Sequence, residues 1–341
     1  MVRLFIVLRR QEAYHCGMQR RDPTVDALNA LSELRHQPDP AALAPQLRSF
    51  LGHKSNLVVA KAAKIAGDLR IAGLTEDLAA AFHRLMANPA KLDKGCAAVT
   101  AIAGALYSMD YEASDVYLKG VRHCQLEASF GPPVDAAAQL RSDSALGLVR
   151  TRHPDALFEV VRLLVDKEPR VRAGAARALG TVVGETADLL LALKVLTGDA
   201  DPDVLAECFS GLLSSGTERS LAFVASYLDH ADDAIVEAAV LALGASRRPP
   251  AIEALKEKWN RTVYGPLRQT LLLALATARQ DSALEFLLSL VTAAEERIAL
   301  EVIAALRTYQ NDGRVRQSLE EALHLRANPR LTAAFHSEFR A

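Results

Sequence analysis

The chain has 341 residues, half of them hydrophobic but only 5% aromatic, and its 40 basic residues are offset by 41 acidic ones to a formal net charge of −1. That balance gives no global field to draw the chain to nucleic acid or to an anionic membrane, so neither is expected as a partner. No window approaches the roughly 18 consecutive apolar residues of a membrane span.

In chain order, MVRLFIVLRR pairs a basic flank with an apolar run, but residues 4–8 are shorter than the about 7 to 15 residues of a signal core, and Arg9-Arg10 interrupts them. Residues 1–22 are therefore read as an extension outside the fold. Asp22-Pro23 caps a helix through Leu34, with Val25, Leu28, Leu31 and Leu34 on one side, and QPDP at 37–40 breaks the chain. The spacing then predicts helix pairs: 41–51 with 55–70, and 78–86 with 94–106. Residues 107–150 form an irregular unit. Regular pairs resume at 156–165 with 170–183, 187–196 with 203–213, and 219–228 with 234–245. The last are 251–259 with 266–278, 282–292 with 295–309, and 315–326 with 331–339. Phe335 and Phe339 are placed to close the open end of such a stack.

The clearest copy of the unit is DKEPRVRAGAARALGTVVG at 166–184. Pro169 suits the first turn of a helix, and the acidic residues before it compensate the helix dipole. Val171, Ala175, Leu179 and Val182 form one stripe at helical spacing; Ala173, Ala176 and Gly180 form a second of very small residues that lets a neighbour come close. Taking Val171 as anchor, equivalents fall at Val58, Gly95, Ala138, Val204, Ile235, Leu267, Ile298 and Leu331. The tripeptide at 178–180 recurs as ALG at 145–147 and 242–244. Repetition at a period of 31 to 43 residues, with little strand-like alternation, predicts an all-α solenoid of about nine stacked helical hairpins, a single domain over residues 23–341. Cys16, Cys96, Cys124 and Cys208 are far apart, with no zinc-type spacing; they read as reduced, buried small hydrophobes of a cytoplasmic protein, without metal or cofactor.

The pattern D-x-x-P-x-V-R followed by A-x-x-A-L-G resembles the HEAT repeat, particularly the short bacterial form shared with phycobilin lyase-type proteins, over roughly residues 40–340. The resemblance implies a protein-binding scaffold, with a minority of enzymes among its members. Hydroxylases of this class use repeated His-Glu pairs, and none of the nine histidines here precedes a Glu.

Polar residues concentrate where the period fails, at 111–141. Read as one helix from Asp115, that stretch puts Arg122, Gln125 and Ser129 on one face, and His123 and Glu127 on the next; Asp135 and Arg141 begin the following helix. Arg122, His123, Gln125, Glu127, Asp135 and Arg141 are thus candidates for a ligand site, or alternatively cross-links between turns. Residues 195–240 hold nine acidic side chains against Arg219 alone, beside a more basic stretch at 141–177. Asp199, Asp201 and Asp232 among them read as helix caps. The expected function is a non-catalytic scaffold binding a protein or peptide on the concave face made by the second helices, with Arg172, Arg177 and Glu207 exposed on it. The alternative is a small-ligand-binding protein or lyase-like enzyme using the 111–141 cluster.

Overall fold

A computed structural model describes residues 22–34, 41–263 and 265–339. The MVRLFIVLRR stretch, Cys16 and the QPDP break lie outside the described residues. Twenty α-helices account for most of what is described, and the chain is an all-α solenoid of stacked helical hairpins. Its helices fall into two compact units, one formed by the residues up to Tyr111 with 124–137, the other by 112–123 and the residues from Ala138 onward.

In the first unit, α1 (Pro23–Leu34) buries Leu31 and Leu34 but leaves Val25 half exposed. It is followed by α2 (Ala44–Leu51), α3 (Asn56–Asp68), α4 (Thr75–Met86), the single turn α5 (Pro89–Leu92) and α6 (Ala97–Ser108). The second helices α3 and α6 lie against each other because Gly67 faces Ala105: a Cβ on Gly67 would sit 2.8 Å from the Ala105 Cα. The predicted start of α6 is moved. Gly95 and Cys96 both have positive φ, and the helix begins only at Ala97, where the buried Asp93 carboxylate accepts the amides of Ala98 and Val99 at 3.1 and 2.8 Å. Gly95 is therefore a turn residue ahead of the helix.

The same unit contains the one departure from helix among the described residues, a hairpin in which β1 (Leu126–Glu127) pairs antiparallel with β2 (Val134–Asp135). The continuous helix expected through 129 does not form. His123 is extended, and the buried Asp135 carboxylate accepts the amides of Gln125 and Ala137, both at 3.1 Å, in place of helical bonding.

The second unit runs α7 (Asp115–Arg122), α8 (Ala138–Arg150), α9 (Ala156–Leu163), α10 (Pro169–Leu179), α11 (Glu185–Thr197), α12 (Pro202–Ser214), α13 (Glu218–Ala225) and α14 (Asp233–Ser246). It closes with α15 (Pro249–Arg261), α16 (Leu267–Thr277), α17 (Asp281–Ala293), α18 (Glu296–Leu306), α19 (Gly313–Arg326) and α20 (Pro329–Glu338). In this unit the even-numbered helices are second helices, and each packs on the next. Pro169, Pro202 and Pro329 occupy first turns, and Asp201, Asp232 and Asn328 accept amides there, as their positions before α12, α14 and α20 require. Phe335 and Phe339 are buried, their ring centroids 5.0 Å apart.

The small-residue stripe works as backbone contact. A Cβ on Gly180 would stand 2.7 Å from the Gly211 Cα, and one on Gly244 would stand 2.5 Å from the Ala274 carbonyl oxygen. The ALG at 145–147 serves a different end: Gly147 makes room for the fully buried ring of Tyr117, three of whose atoms lie within 2.6 Å of where a Cβ would be. Gly180→Ala thrusts a methyl group into backbone that cannot rotate away. It is expected to cost about 1 to 3 kcal/mol, read as a lower urea midpoint at unchanged slope; an unchanged midpoint would show that α10 and α12 are not held this closely.

Candidate functional site

Of the polar candidates at 111–141, Gln125, Glu127 and Asp135 come together in the first unit. The buried Gln125 amide donates to the Asp93 carbonyl at 3.1 Å and to Glu127 Oε1 at 2.6 Å, and the Gly95 amide donates to the same Oε1 at 2.7 Å. The Gly95 bond, and then that from Gln125, hold the Glu127 carboxyl below its ordinary value. Asp135 also accepts from the thiol of Cys124 at 3.3 Å; unlike Cys96 and Cys208, Cys124 is exposed and not the buried hydrophobe expected. These contacts tie the hairpin to the turn before α6. Ser129 shares no helical face with Arg122; its hydroxyl bonds the Pro132 carbonyl at 2.7 Å and closes the hairpin turn.

Arg122 and Arg141 belong to the second unit, and each already holds a carboxylate. Arg122 donates twice to Glu159 Oε1, at 3.1 and 2.6 Å, which lowers the Glu159 pKa. Arg141, only 5% exposed at its side chain, forks onto both oxygens of Asp166 at 3.0 and 3.2 Å and donates to the His123 carbonyl at 2.9 Å. The next hairpin repeats the device: Arg172 forks onto Asp199 at 2.7 and 2.6 Å, and Lys194 reaches the same carboxylate at 2.7 Å. Asp166 and Asp199 each accept the amide two residues on, from Glu168 and Asp201.

This equivalence shows that Leu140-Arg141 corresponds to Val171-Arg172, so the Ala138 anchor is two residues early. Arg172 is also not the exposed surface residue expected, because its side chain is 13% exposed and Asp199 2%. The ladder stops at the following hairpin, where Leu205 is buried and His230 Nδ1 takes the amide of Asp232 at 3.1 Å. Arg177 is exposed and bonds Glu207. Two further members of the acidic run at 195–240 are engaged in the same manner: Arg248 binds Glu218, and Lys258 with Arg261 binds Asp229.

A different place in the second unit is open. Helix α11 carries two apolar stripes. Ala187, Leu191 and Val195 are buried in the stack, whereas Leu189, Leu193 and Leu196 are 50, 57 and 69% exposed. The exposed stripe forms one wall of a cleft of about 790 Å³, with Phe223 of α13 opposite and Gly180 and Gly211 at its floor. Below the cleft α10 and α12 approach backbone to backbone, and α11 touches its neighbouring first helices less than α17 touches α19. Across the cleft stand two long contacts, Arg219 to Glu185 and Ser220 to Asp188, both at 3.4 Å. The adjoining seam is crossed by Arg248, which donates to the Thr217 carbonyl at 2.9 Å and to Glu218.

A family model described as HEAT repeats matches residues 189–276, from the wall of the cleft to the end of α16. Residues 189–276 carry HEAT repeats. Solved structures similar to it include an engineered protein at 16% identity and a TM-score of 0.39, covering 92% of this chain and 94% of that one. Human deoxyhypusine hydroxylase in complex with glycerol is similar at 17% identity and a TM-score of 0.30, covering 76% and 91%. The complex of CpcE and CpcF of phycocyanin lyase from Nostoc is similar at 17% identity and a TM-score of 0.37, covering 86% and 96%. No curated protein matches the chain significantly. Among the described residues no helix is long and apolar enough to cross a membrane.

Sequence reasoning looked for the binding surface on the second helices and missed the cleft. The signal was present in α11, whose ETADLLLALKVLT has more leucines than one buried stripe uses. The Arg–Asp ladder makes its own prediction. Burial works to raise the Asp199 pKa, but hydrogen bonds from Arg172, Lys194 and the Asp201 amide prevail and hold it well below its ordinary 3.8. A depressed carboxyl stabilises the fold above its unfolded pKa, and that contribution is lost as pH falls through the folded value. Asp199→Asn, which strands Arg172 and Lys194, is expected to cost about 3 to 5 kcal/mol at pH 7. Urea unfolding at pH 5 and pH 3 checks the sign: the wild type loses more stability on acidification than the Asn variant does.

Proposed function

We propose that the protein is a non-catalytic interaction scaffold and that a protein partner docks on the open side of α11. The observation that carries this reading is the second apolar stripe, Leu189, Leu193 and Leu196, exposed along a cleft that the rest of the second unit does not fill. Fully stacked helices of a solenoid bury one stripe and turn a polar face to water. A further apolar face costs solubility unless something covers it, and contiguous patches of this kind mark interaction sites.

In this reading Arg122, Arg141 and Arg172, with Glu159, Asp166 and Asp199, stiffen the stack that presents α11. Gln125, Glu127 and Asp135 brace the first unit in the same way, and the exposed Arg177, paired with Glu207, which is half-buried rather than exposed as expected, keeps neighbouring second helices in register. The scaffold works in the cytoplasm; Cys208 is a buried small hydrophobe whose thiol burial pushes up to about 12, out of reach of thiolate chemistry.

A photo-crosslinking residue placed at Leu193 in cells of the source organism tests the proposal, with one at the exposed Glu257 of α15 as reference. A discrete adduct at 193, absent at 257 and lost when Leu189→Glu is added, is the expected result. Because Leu189 lies on the surface, that substitution should move stability by no more than about 0.5 kcal/mol. Equal labelling at both positions would sink the reading.

A further inference from the structure

Resting on that docking site, we infer that its occupant is an amphipathic α-helix of a partner protein, lying antiparallel to α11 with a Lys or Arg in its last turn. The shape of the wall points to a helix. Leu189, Ala192, Leu193 and Leu196 line the cleft at i, i+3, i+4 and i+7, the spacing of a coiled-coil seam that lacks its second strand. The seam runs for about 10 Å along α11. Ala192 at its centre lets a facing backbone come close, while Leu189 and Leu196 offer knobs on either side of it. An extended peptide would need free backbone amides and carbonyls to pair with, and both helical walls spend theirs internally.

Charge sets the direction. The cleft is acidic at the N-terminal end of α11, where Glu185 and Asp188 line it, and apolar at the other end, where Leu196 lies. Arg219 meets Glu185 at 3.4 Å with both side chains three-quarters exposed, which is a weak pair, and Asp188 meets the Ser220 hydroxyl at 3.4 Å. Lys194, the base on α11 itself, is committed to Asp199. A cation brought by the partner is therefore the complement of Asp188. A cation is most at ease in the last turn of a helix, where it also answers that helix's own dipole. Setting that last turn beside Asp188, at the start of α11, requires the two helices to run in opposite directions.

The test pans a phage-displayed library of random peptides of about 16 residues, roughly four turns, on the full chain after depletion on a Leu193→Glu variant. The expected selection is apolar residues at i, i+3 or i+4, and i+7, followed within a turn by Lys or Arg. Fluorescence anisotropy of the selected peptide should show about tenfold weaker binding to Asp188→Lys, with affinity recovered when the peptide's cation is exchanged for Glu. Proline-rich or strand-like selections, acidic flanks, or affinity indifferent to Asp188→Lys would overturn the inference. So would a dimer in sedimentation velocity that Leu193→Glu abolishes, because a second copy of the chain would then be the occupant. If no selected sequence distinguishes wild type from Leu193→Glu, the helix is refuted while a cross-link at Leu193 in cells would leave the docking site standing.

Discussion

Second helices in this protein meet at backbone distance, and that contact governs the rest. Gly67 against Ala105, Gly180 against Gly211 and Gly244 against Ala274 each leave no room for a larger side chain. Dispersion between atoms at such separations is individually small and collectively large, and it vanishes if either surface is pushed back by a methyl group. A two-layer stack cannot bring one layer so close without consequence for the other. Where two glycines oppose each other, the paired first helices must be separated by side chains, by solvent or by another molecule. At α11 the first helices stand apart, and the cleft lies directly over the glycine contact.

Ion pairs fix the register that the small residues leave free. A smooth alanine and glycine stripe can slide; a guanidinium held bidentately by a carboxylate whose other bond goes to a helix N-terminal amide cannot. Arg141 with Asp166 and Arg172 with Asp199 are such clamps, each joining one second helix to the turn before the next. Desolvating these charges is costly, so their contribution to net stability is smaller than the loss on removing one partner. The positions without the clamp are as informative. Leu205 and His230 replace Arg and Asp one hairpin later, and there the side-chain bonds between hairpins are the long ones from Arg219 to Glu185 and from Ser220 to Asp188.

Much of this was legible in the residues. Pro169, Pro202 and Pro329 mark helix starts because a residue without an amide proton belongs in a first turn, and apart from Gly95 the anchors fall in the first turn of a second helix. What was not legible depended on partners distant in sequence. Nothing local ends the helix at Arg122: the chain continues in helical pattern through Glu127, and only the Asp135 carboxylate, with the link from Glu127 to Gly95, shows why it turns instead. The ALG at 145–147 misled for a related reason. Its glycine looks like that of 178–180 but accommodates Tyr117 of its own hairpin, and the true register emerges only when Arg141 and Arg172 are seen to do the same work.

Helix α11 shows where a repeat architecture leaves room for function. Stacking requires one stripe from each helix, and Ala187, Leu191 and Val195 supply it. Leu189, Leu193 and Leu196 answer to no requirement of the stack, and water penalises them at every turn. Other leucines, Leu57 and Leu325 among them, are also exposed, but these three gather along one wall of a single cleft. A candidate site built from titratable groups would have been sought among Arg122, Glu127 and Asp135, whose hydrogen-bonding capacity the fold itself uses. The surplus lies in apolar surface instead, which is the chemistry of association rather than of bond making, and it lies where the ladder of side-chain bonds across first helices is weakest.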